Sequence, residues 1–223
     1  MSCKIFQGLI MKFAMSYSFG KDSAFALYKM IQLGHEPVCL ITTINEENDR
    51  TWFHGINADL IQRCACALKL PVILSPCNRK TYGAAFEEAI IKSVEMGAEC
   101  CAFGDMDIEG HLDWNKERCK TAGVECAVPL WGINRERAVL DEIELGFSAI
   151  IKCIEKKYLD KEFLGKKLDK KLVEKIRNTG ADVCGENGEY HTFVTDGPIF
   201  SRPVQITIGD VIDFGTHAVV DIQ

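Results

Sequence analysis

The run Ser16-Tyr17-Ser18-Phe19-Gly20-Lys21-Asp22-Ser23 packs hydroxyls, an ammonium and a carboxylate around one glycine. An apolar strand-like stretch, Phe13 to Met15, precedes it, and a helix from about Asp22 to Leu33 follows. A helix start directs unpaired backbone N–H groups and the positive end of its dipole at the loop before it, so this turn suits phosphate oxygens. Gly20 lets backbone approach a ligand without a Cβ in the way. Ser18 and Ser23 can donate hydrogen bonds, and Lys21 adds a mobile positive charge. Asp22 repels a bare phosphate but makes sense as a ligand for Mg²⁺. The anion that fits best is the pyrophosphate end of ATP. The alternative is an ordinary helix cap, for which Asp and Ser are common.

Three further stretches carry usable groups. Gly104-Asp105 follows a strand, where a carboxylate can bind magnesium or steer a nucleophile, or else serve as a turn residue. Thr42-Thr43-Ile44-Asn45 follows another strand; its backbone can read the edge of adenine, or the stretch is a plain loop. Glu186-Asn187-Gly188-Glu189 places two carboxylates and an amide between glycines; it can hold an amine, an ammonium ion or a substrate cation, or supply a general base, or else form a surface turn. Asp113 and Trp114 read as the first turn of a helix on which Arg118 can face a phosphate. His54, His111 and His191 are each open to a structural or a catalytic role, and no Ser-His-Asp or Cys-His arrangement follows from spacing.

Alternating elements must position these groups. Strands are expected at Phe13–Met15, Val38–Thr43, Val72–Leu74, Cys100–Phe103 and Cys126–Val128. Helices are expected at Asp22–Leu33, Phe53–Leu68 (apolar face Ile56, Leu60, Cys64, Leu68), Tyr82–Met96 (Phe86, Ile90, Val94) and Leu112–Ala122. This is an α/β pattern with a parallel five-stranded sheet and right-handed crossovers. Ligands lie beyond the carboxyl ends of such strands, which predicts one site shared by Ser18–Ser23, Thr43–Asp49 and Gly104–Asp107. From about Trp131 the rhythm changes. Helices capped by Asn134 and Asp169, a strand at Ser148–Ile154 and β-rich segments to the end describe a smaller α+β unit. Residues 11–132 thus read as a nucleotide-binding domain and 133–223 as a substrate-binding domain.

The 223 residues carry a net charge of −6, which argues against a broad nucleic-acid surface. The lysine pairs 156–157, 166–167 and 170–171 alternate with acids and read as a solvated face. Eleven cysteines, several inside apolar segments and none in a Cys-x-x-Cys pair, point to a reducing cytoplasm and away from a disulfide framework, structural zinc or an iron–sulfur cluster. No run is long enough to span a membrane. The first ten residues lack a signal-peptide layout and read as a short extension or an over-long start at Met1.

The first turn is not the Gly-x-x-x-x-Gly-Lys-Ser/Thr loop of kinases, because Asp22 follows the lysine. It resembles the Ser-Gly-Gly-x-Asp-Ser loop of the ATP pyrophosphatases, with Phe19 standing where the first glycine usually is. Together with Thr42–Asp49, Phe103-Gly104-Asp105, Pro129-Leu130-Trp131-Gly132, Phe163-Leu164-Gly165, Gly185–Thr192 and Asp196-Gly197-Pro198, it is similar to the diphthine–ammonia ligase family over nearly the whole chain from Met11. That resemblance implies a Rossmann-like adenine-nucleotide α-hydrolase fold followed by a substrate unit. It also implies a reaction in which ATP adenylates a carboxylate, pyrophosphate leaves and ammonia displaces AMP. The family's carboxylate belongs to diphthine, a modified histidine of translation elongation factor 2.

By match to the motifs, Ser18, Gly20, Lys21, Asp22 and Ser23 would hold the phosphates and magnesium, with Thr43, Asn45 and Gly104 completing the nucleotide site. Lys21 and Asp105 would act beside them, Asp22 and Asp105 would bind the metal, and Glu186 and Glu189 would line the acceptor or ammonia side. Asn187 and His191 stand where archaeal and eukaryotic members tend to carry Gly and an acid, so the chain is similar to the bacterial branch. Bacteria are not expected to make diphthamide, which leaves the acceptor open. Two other readings compete: a tRNA-modifying ATP pyrophosphatase, and a nucleotide-binding module without catalysis.

Overall fold

The structure, a computed structural model, describes residues 10–52 and 54–223. The expectation for the chain's start falls largely on residues 1–9, and the expected helix start on Phe53; both lie outside the described residues. Strand β1 (Lys12–Ser16) leads into α1 (Lys21–Gln32), and β2 (Glu36–Asn45) is followed by the two-residue β3 (Arg50–Thr51). Next come α2 (Ala58–Leu68), β4 (Val72–Cys77), α3 (Tyr82–Glu95), β5 (Cys100–Ala102), α4 (Glu109–Ala122) and β6 (Glu125–Ala127). Five of these strands are parallel, in the order β4-β2-β1-β5-β6, and β3 adds a short antiparallel pairing to β2. The order reverses between β1 and β5. In a doubly wound sheet that is where a crevice opens beyond the carboxyl ends.

After α5 (Arg135–Glu144) a second sheet forms from β7 (Ser148–Glu155), β8 (Tyr190–Asp196), β9 (Ile208–Asp213) and β10 (His217–Ile222), with α6 (Lys170–Thr179) between β7 and β8. Its order is β8-β7-β10-β9, antiparallel throughout. One apolar core runs from Phe13, Phe25 and Leu27 of the first sheet and α1 to Ile151, Phe193 and Val220 of the second. Each such side chain contributes about 1.5–3 kcal/mol on burial, so the two sheets stabilise each other directly. A second cluster (Ala14, Ile41, Phe86, Ile90, Cys101) fills the opposite face of the parallel sheet under α3 and α4.

Asn134 and Asp169 cap their helices as read, accepting from the Arg137 and Leu172 amides at 3.0 and 2.8 Å. Asn57, not foreseen as a cap, accepts from the Leu60 amide at 2.8 Å. Asn57 therefore starts α2 at Ala58, five residues later than expected, because Thr51 is drawn into β3 and Gly55 turns the chain at φ 59°. Helix α4 starts at Glu109, which moves Asp113 and Trp114 into its second turn. On α3 the apolar face includes Phe86 and Ile90 but not Val94, which is 41% exposed; Ser93 is buried in its place and donates to the Ile90 carbonyl at 2.6 Å.

Candidate active site

The turn between β1 and α1 is fixed from three sides. Phe19 adopts φ 68°, a left-handed conformation that costs a non-glycine residue roughly 1–2 kcal/mol. Its surroundings hold it there: the ring is buried edge-on to Tyr17 at 5.0 Å, and its carbonyl accepts from Val194 N of β8 at 2.9 Å. Phe19 thus takes up the conformation for which the related loop uses glycine. Ser18 Oγ accepts from Gly20 N at 3.3 Å and donates to Ser23 Oγ at 3.2 Å, and Ser23 Oγ donates to the Gly20 carbonyl at 2.9 Å. The Lys21 amide donates to Thr192 Oγ1 at 3.0 Å. Two amides of the helix start therefore already have hydroxyl partners, where the sequence suggests open donors.

Lys21 is not the mobile charge expected. Only 2% of it is exposed, and its ammonium pairs with the Asp22 carboxylate and donates to Cys184 Sγ at 3.1 Å. Burial pulls its pKa down, but Asp22 together with Cys184, Glu142 and Tyr190 outweighs that and holds the ammonium well above its ordinary value. Burial pushes the Cys184 thiol up, so it stays neutral beside the lysine. Glu142 of α5 is also buried nearby and is pushed up by burial and by Asp22, against the pull of Lys21.

A cavity of about 360 Å³ opens above this turn. Its floor is Ser18, Lys21, Asp22 and Ser23, its far side Gly104 and Asp105, and its roof Glu186, His191 and Thr192 from the second sheet's side. Tyr82, Phe86, Phe103 and Trp114 form one aromatic wall, with neighbouring rings 5.4–5.9 Å apart. A small side chamber of about 60 Å³ shares Ser18, His54 and Tyr82 with it and reaches Thr42, Thr43 and Trp52.

Three carboxylates meet at the cavity. Glu186 has an oxygen within 4.8 Å of Asp22 and Cys184 on one side, and of Asp105 and His111 on the other. Asp105 is oriented by His111 Nδ1 at 3.0 Å and by the Asn115 amide, which donates at 2.8 Å. The Asp105 hydrogen bond raises the His111 pKa against a smaller opposing effect of burial. Burial, then the Asp22 charge, pushes Glu186 up to about 7, with Asp105 adding to it and Lys21 opposing. His54 Nδ1 lies 2.7 Å from the Thr192 carbonyl. A carbonyl only accepts, so Nδ1 carries the proton. Burial, with His191 at 5.0 Å between ring centres, lowers His54 to about 3 and keeps it neutral. Burial also lowers His191.

Other expected residues stand apart. Glu189 is buried, but its carboxylate accepts from the Asn187 backbone and side-chain amides at 3.1 and 3.2 Å; it braces its own turn and is not on the cavity wall. Asn45 caps its own turn by accepting from Glu47 N at 3.0 Å and lines neither space. Thr43 reaches only the side chamber, 3.4 Å from Tyr82. Arg118 lies over Trp114, pairs with Glu87 and Glu117, and lines neither space. Residues that sequence reasoning passed over are Cys184, Asn115, Tyr82 and Thr192. Only Asn115 had a legible signal, as one of the few polar residues that α4 turns inward.

The description "Diphthamide synthase N-terminal domain" matches residues 11–126, and "Diphthamide synthase C-terminal domain" matches residues 134–223. The chain is 25% identical to the diphthine–ammonia ligase of Bos taurus, an alignment covering 93% of this chain and 87% of that one. It is 24% identical to the Homo sapiens enzyme of the same name, covering 91% and 85%. A solved chain described as a predicted subunit of tRNA methyltransferase from Methanocaldococcus jannaschii aligns with TM-score 0.46 and 17% identity, over 87% of this chain and 100% of that one.

Proposed function

The chain belongs to the diphthamide synthase family, and on that premise we propose that it is an ATP-dependent carbon–nitrogen ligase: it adenylates a carboxylate with release of pyrophosphate, and ammonia displaces AMP to leave an amide. The observation that carries this reading is the meeting of Asp22, Asp105 and Glu186 above a phosphate-type turn. Three carboxylates around a triphosphate would repel it. The set makes chemical sense as an oxygen-donor site for a divalent cation, which would favour the ionised form of Glu186 against the upward push of burial and then of Asp22. Magnesium fits those donors, and when bound it supplies positive charge against the pyrophosphate oxygens.

A carboxylate is a poor electrophile because its leaving group would be oxide; adenylation makes that group AMP. The chain's own residues then have three tasks. The Ser18 and Ser23 hydroxyls, held to one another by a long 3.2 Å bond, are free to turn to phosphate oxygens and release the Gly20 amide to the same anion. Lys21, kept protonated by Asp22, adds fixed positive charge under the turn. Tyr82 and the side chamber beside Thr43 suit adenine, and the Glu186 end of the cavity suits the acceptor. Alignment of acceptor and α-phosphate on such fixed elements lowers the barrier by removing orientational freedom.

The relatives' name points to diphthine as the carboxylate, carried on a protein substrate, and to ammonia as the nitrogen donor. The cysteine pattern of the sequence, odd in number and set in apolar segments, supports a reducing cytoplasm. No helix among the described residues is long and apolar enough to cross a membrane. The test is the product pattern from ATP, magnesium, ammonium and cell extract as acceptor source. AMP and pyrophosphate support the ligase, and their loss in Asp22→Ala with the fold intact supports the cation role. ADP and phosphate would contradict it.

A further inference from the structure

Arg135 is the first residue of α5, directly after the Asn134 cap, and takes no part in the cavity wall. It nevertheless holds two segments that do. Its Nε and Nη2 donate to the two Asp107 oxygens at 2.8 and 2.6 Å, and its Nη1 donates to Asp182 Oδ2 at 2.6 Å. Asp107 lies two residues after Asp105. Asp182 opens the turn that carries Glu186: its Oδ1 accepts from Cys184 N at 3.0 Å and its Oδ2 from Glu186 N at 3.3 Å. One guanidinium therefore ties the loop after β5 to the loop before β8. Two direct bonds join the same loops, Met106 N to Glu186 Oε1 at 3.4 Å and Cys184 Sγ to Met106 Sδ at 3.4 Å; the first is long and the second involves only sulfur, so both are weak by comparison. The Asp182 half of the latch is better shielded than an ordinary surface pair, with Arg135 and Asp182 side chains 25% and 15% exposed against 62% for Arg137, which pairs with Asp141 on the same helix; Asp107 is 41% exposed. The pairing lowers Asp107 and raises Arg135 through their mutual hydrogen bonds.

We infer that Arg135 is a positioning residue that fixes Glu186 against Asp22 and Asp105 and so sets turnover without touching the nucleotide. A planar fork is needed for this, since it makes a two-pronged bond to one carboxylate while reaching a second; a lysine ammonium cannot reproduce it. Only the kinetic arm of the test rests on the ligase reading.

The variant Arg135→Ala is expected to lose pyrophosphate-forming kcat on the order of 10²-fold, because a displacement of about 1 Å at the reacting groups has that effect. The KM for ATP stays close to wild type, because the Ser18–Ser23 turn is held by other contacts. Added guanidinium restores part of the rate, Arg135→Lys restores little, and Arg137→Ala behaves as wild type. Hydrogen exchange at the Cys184 and Glu186 amides accelerates in Arg135→Ala. Should that variant not accumulate as folded protein, Arg135→Lys serves for the same kinetic and exchange comparison. An unchanged kcat, or a loss matched by weaker ATP binding and insensitive to guanidinium, overturns the inference. If the wild-type protein makes no pyrophosphate, the ligase reading fails, and the exchange rates at Cys184 and Glu186 alone decide the latch: unchanged rates overturn it.

Discussion

Gly104 packs so closely on Asp22 that a Cβ at position 104 would lie 2.9 Å from the Asp22 carbonyl carbon and 3.0 Å from Ser23 N. The atoms it would meet are backbone, which cannot swing aside. The β5 loop and the phosphate-type turn therefore form one surface, and Gly104 serves it by having no side chain. Gly104→Ala is expected to part the two loops, at an overpacking cost of about 1–3 kcal/mol, and to weaken ATP binding more than it lowers Tm. Calorimetric titration with ATP beside a thermal melt checks this; unchanged ATP affinity would contradict it.

The two glutamates of the 185–189 turn have different work although they lie three residues apart. Glu186 faces the cavity and the other carboxylates, whereas Glu189 is turned to the Asn187 amides. Glu186→Gln is expected to abolish magnesium-dependent turnover, with little change in Tm below about pH 4.5, where the wild-type carboxyl is protonated in both states. Glu189→Ala removes the acceptor of both Asn187 amides; Asn187 is exposed, so water can replace it, and stability is expected to fall by about 0.5–1.5 kcal/mol. Glu189→Gln, which keeps one acceptor, should retain most turnover. Chemical denaturation and pyrophosphate release on the three variants separate the roles.

Glu186 also predicts how stability varies with pH. Its pKa is raised from 4.5 to about 7, chiefly by burial and then by Asp22. Between those values the folded chain binds more protons than the unfolded one, so this group's contribution is fully present below about 4.5 and is lost as pH rises through about 7. In EDTA, wild-type protein should therefore lose stability relative to Glu186→Gln as pH rises through that window. Magnesium should raise the wild-type Tm more at pH 8 than at pH 5, because it favours the ionised form. Equal magnesium stabilisation at both would count against the cation site.

His54 carries the opposite sign. Its pKa is lowered from 6.5 to about 3, so the folded chain binds fewer protons across that interval and stability is lost on acidification through it. Nitrogen-15 NMR should show the Nδ1–H form, set by the Thr192 carbonyl, with no titration between pH 5 and 9. A His54 resonance that titrates near 6.5 would show that this packing against the turn is wrong.

Much of this arrangement was legible because it is local. Asn134 and Asp169 announce helix starts, Gly34 and Gly123 announce stops, and the alternation of strands and amphipathic helices fixes the parallel sheet. Ser18–Ser23 and Gly104-Asp105 could be read as neighbours, with Thr43–Asp49, because parallel strands deliver their carboxyl ends to one edge; Glu186, ahead of a strand in the other sheet, was placed beside them only by the family resemblance. What stayed hidden depends on contacts between distant segments. Lys21 looks mobile in the sequence, but Asp22 and Cys184, 163 residues beyond it, enclose it. Arg118 turns to Glu87 because α4 packs on α3, which helical periodicity does not report. His54 lies in a turn without periodicity, and the Arg135 latch joins a helix start to two loops that share no pattern with it.

The most direct test of the account is a crystal structure with α,β-methylene ATP and magnesium. The account predicts triphosphate oxygens against the Gly20 amide and the Ser18 and Ser23 hydroxyls, the cation on Asp22 and Glu186, and adenine beside Thr43 and Tyr82. A nucleotide bound elsewhere, with the Ser18–Ser23 hydroxyl bond still closed over an empty turn, would contradict it.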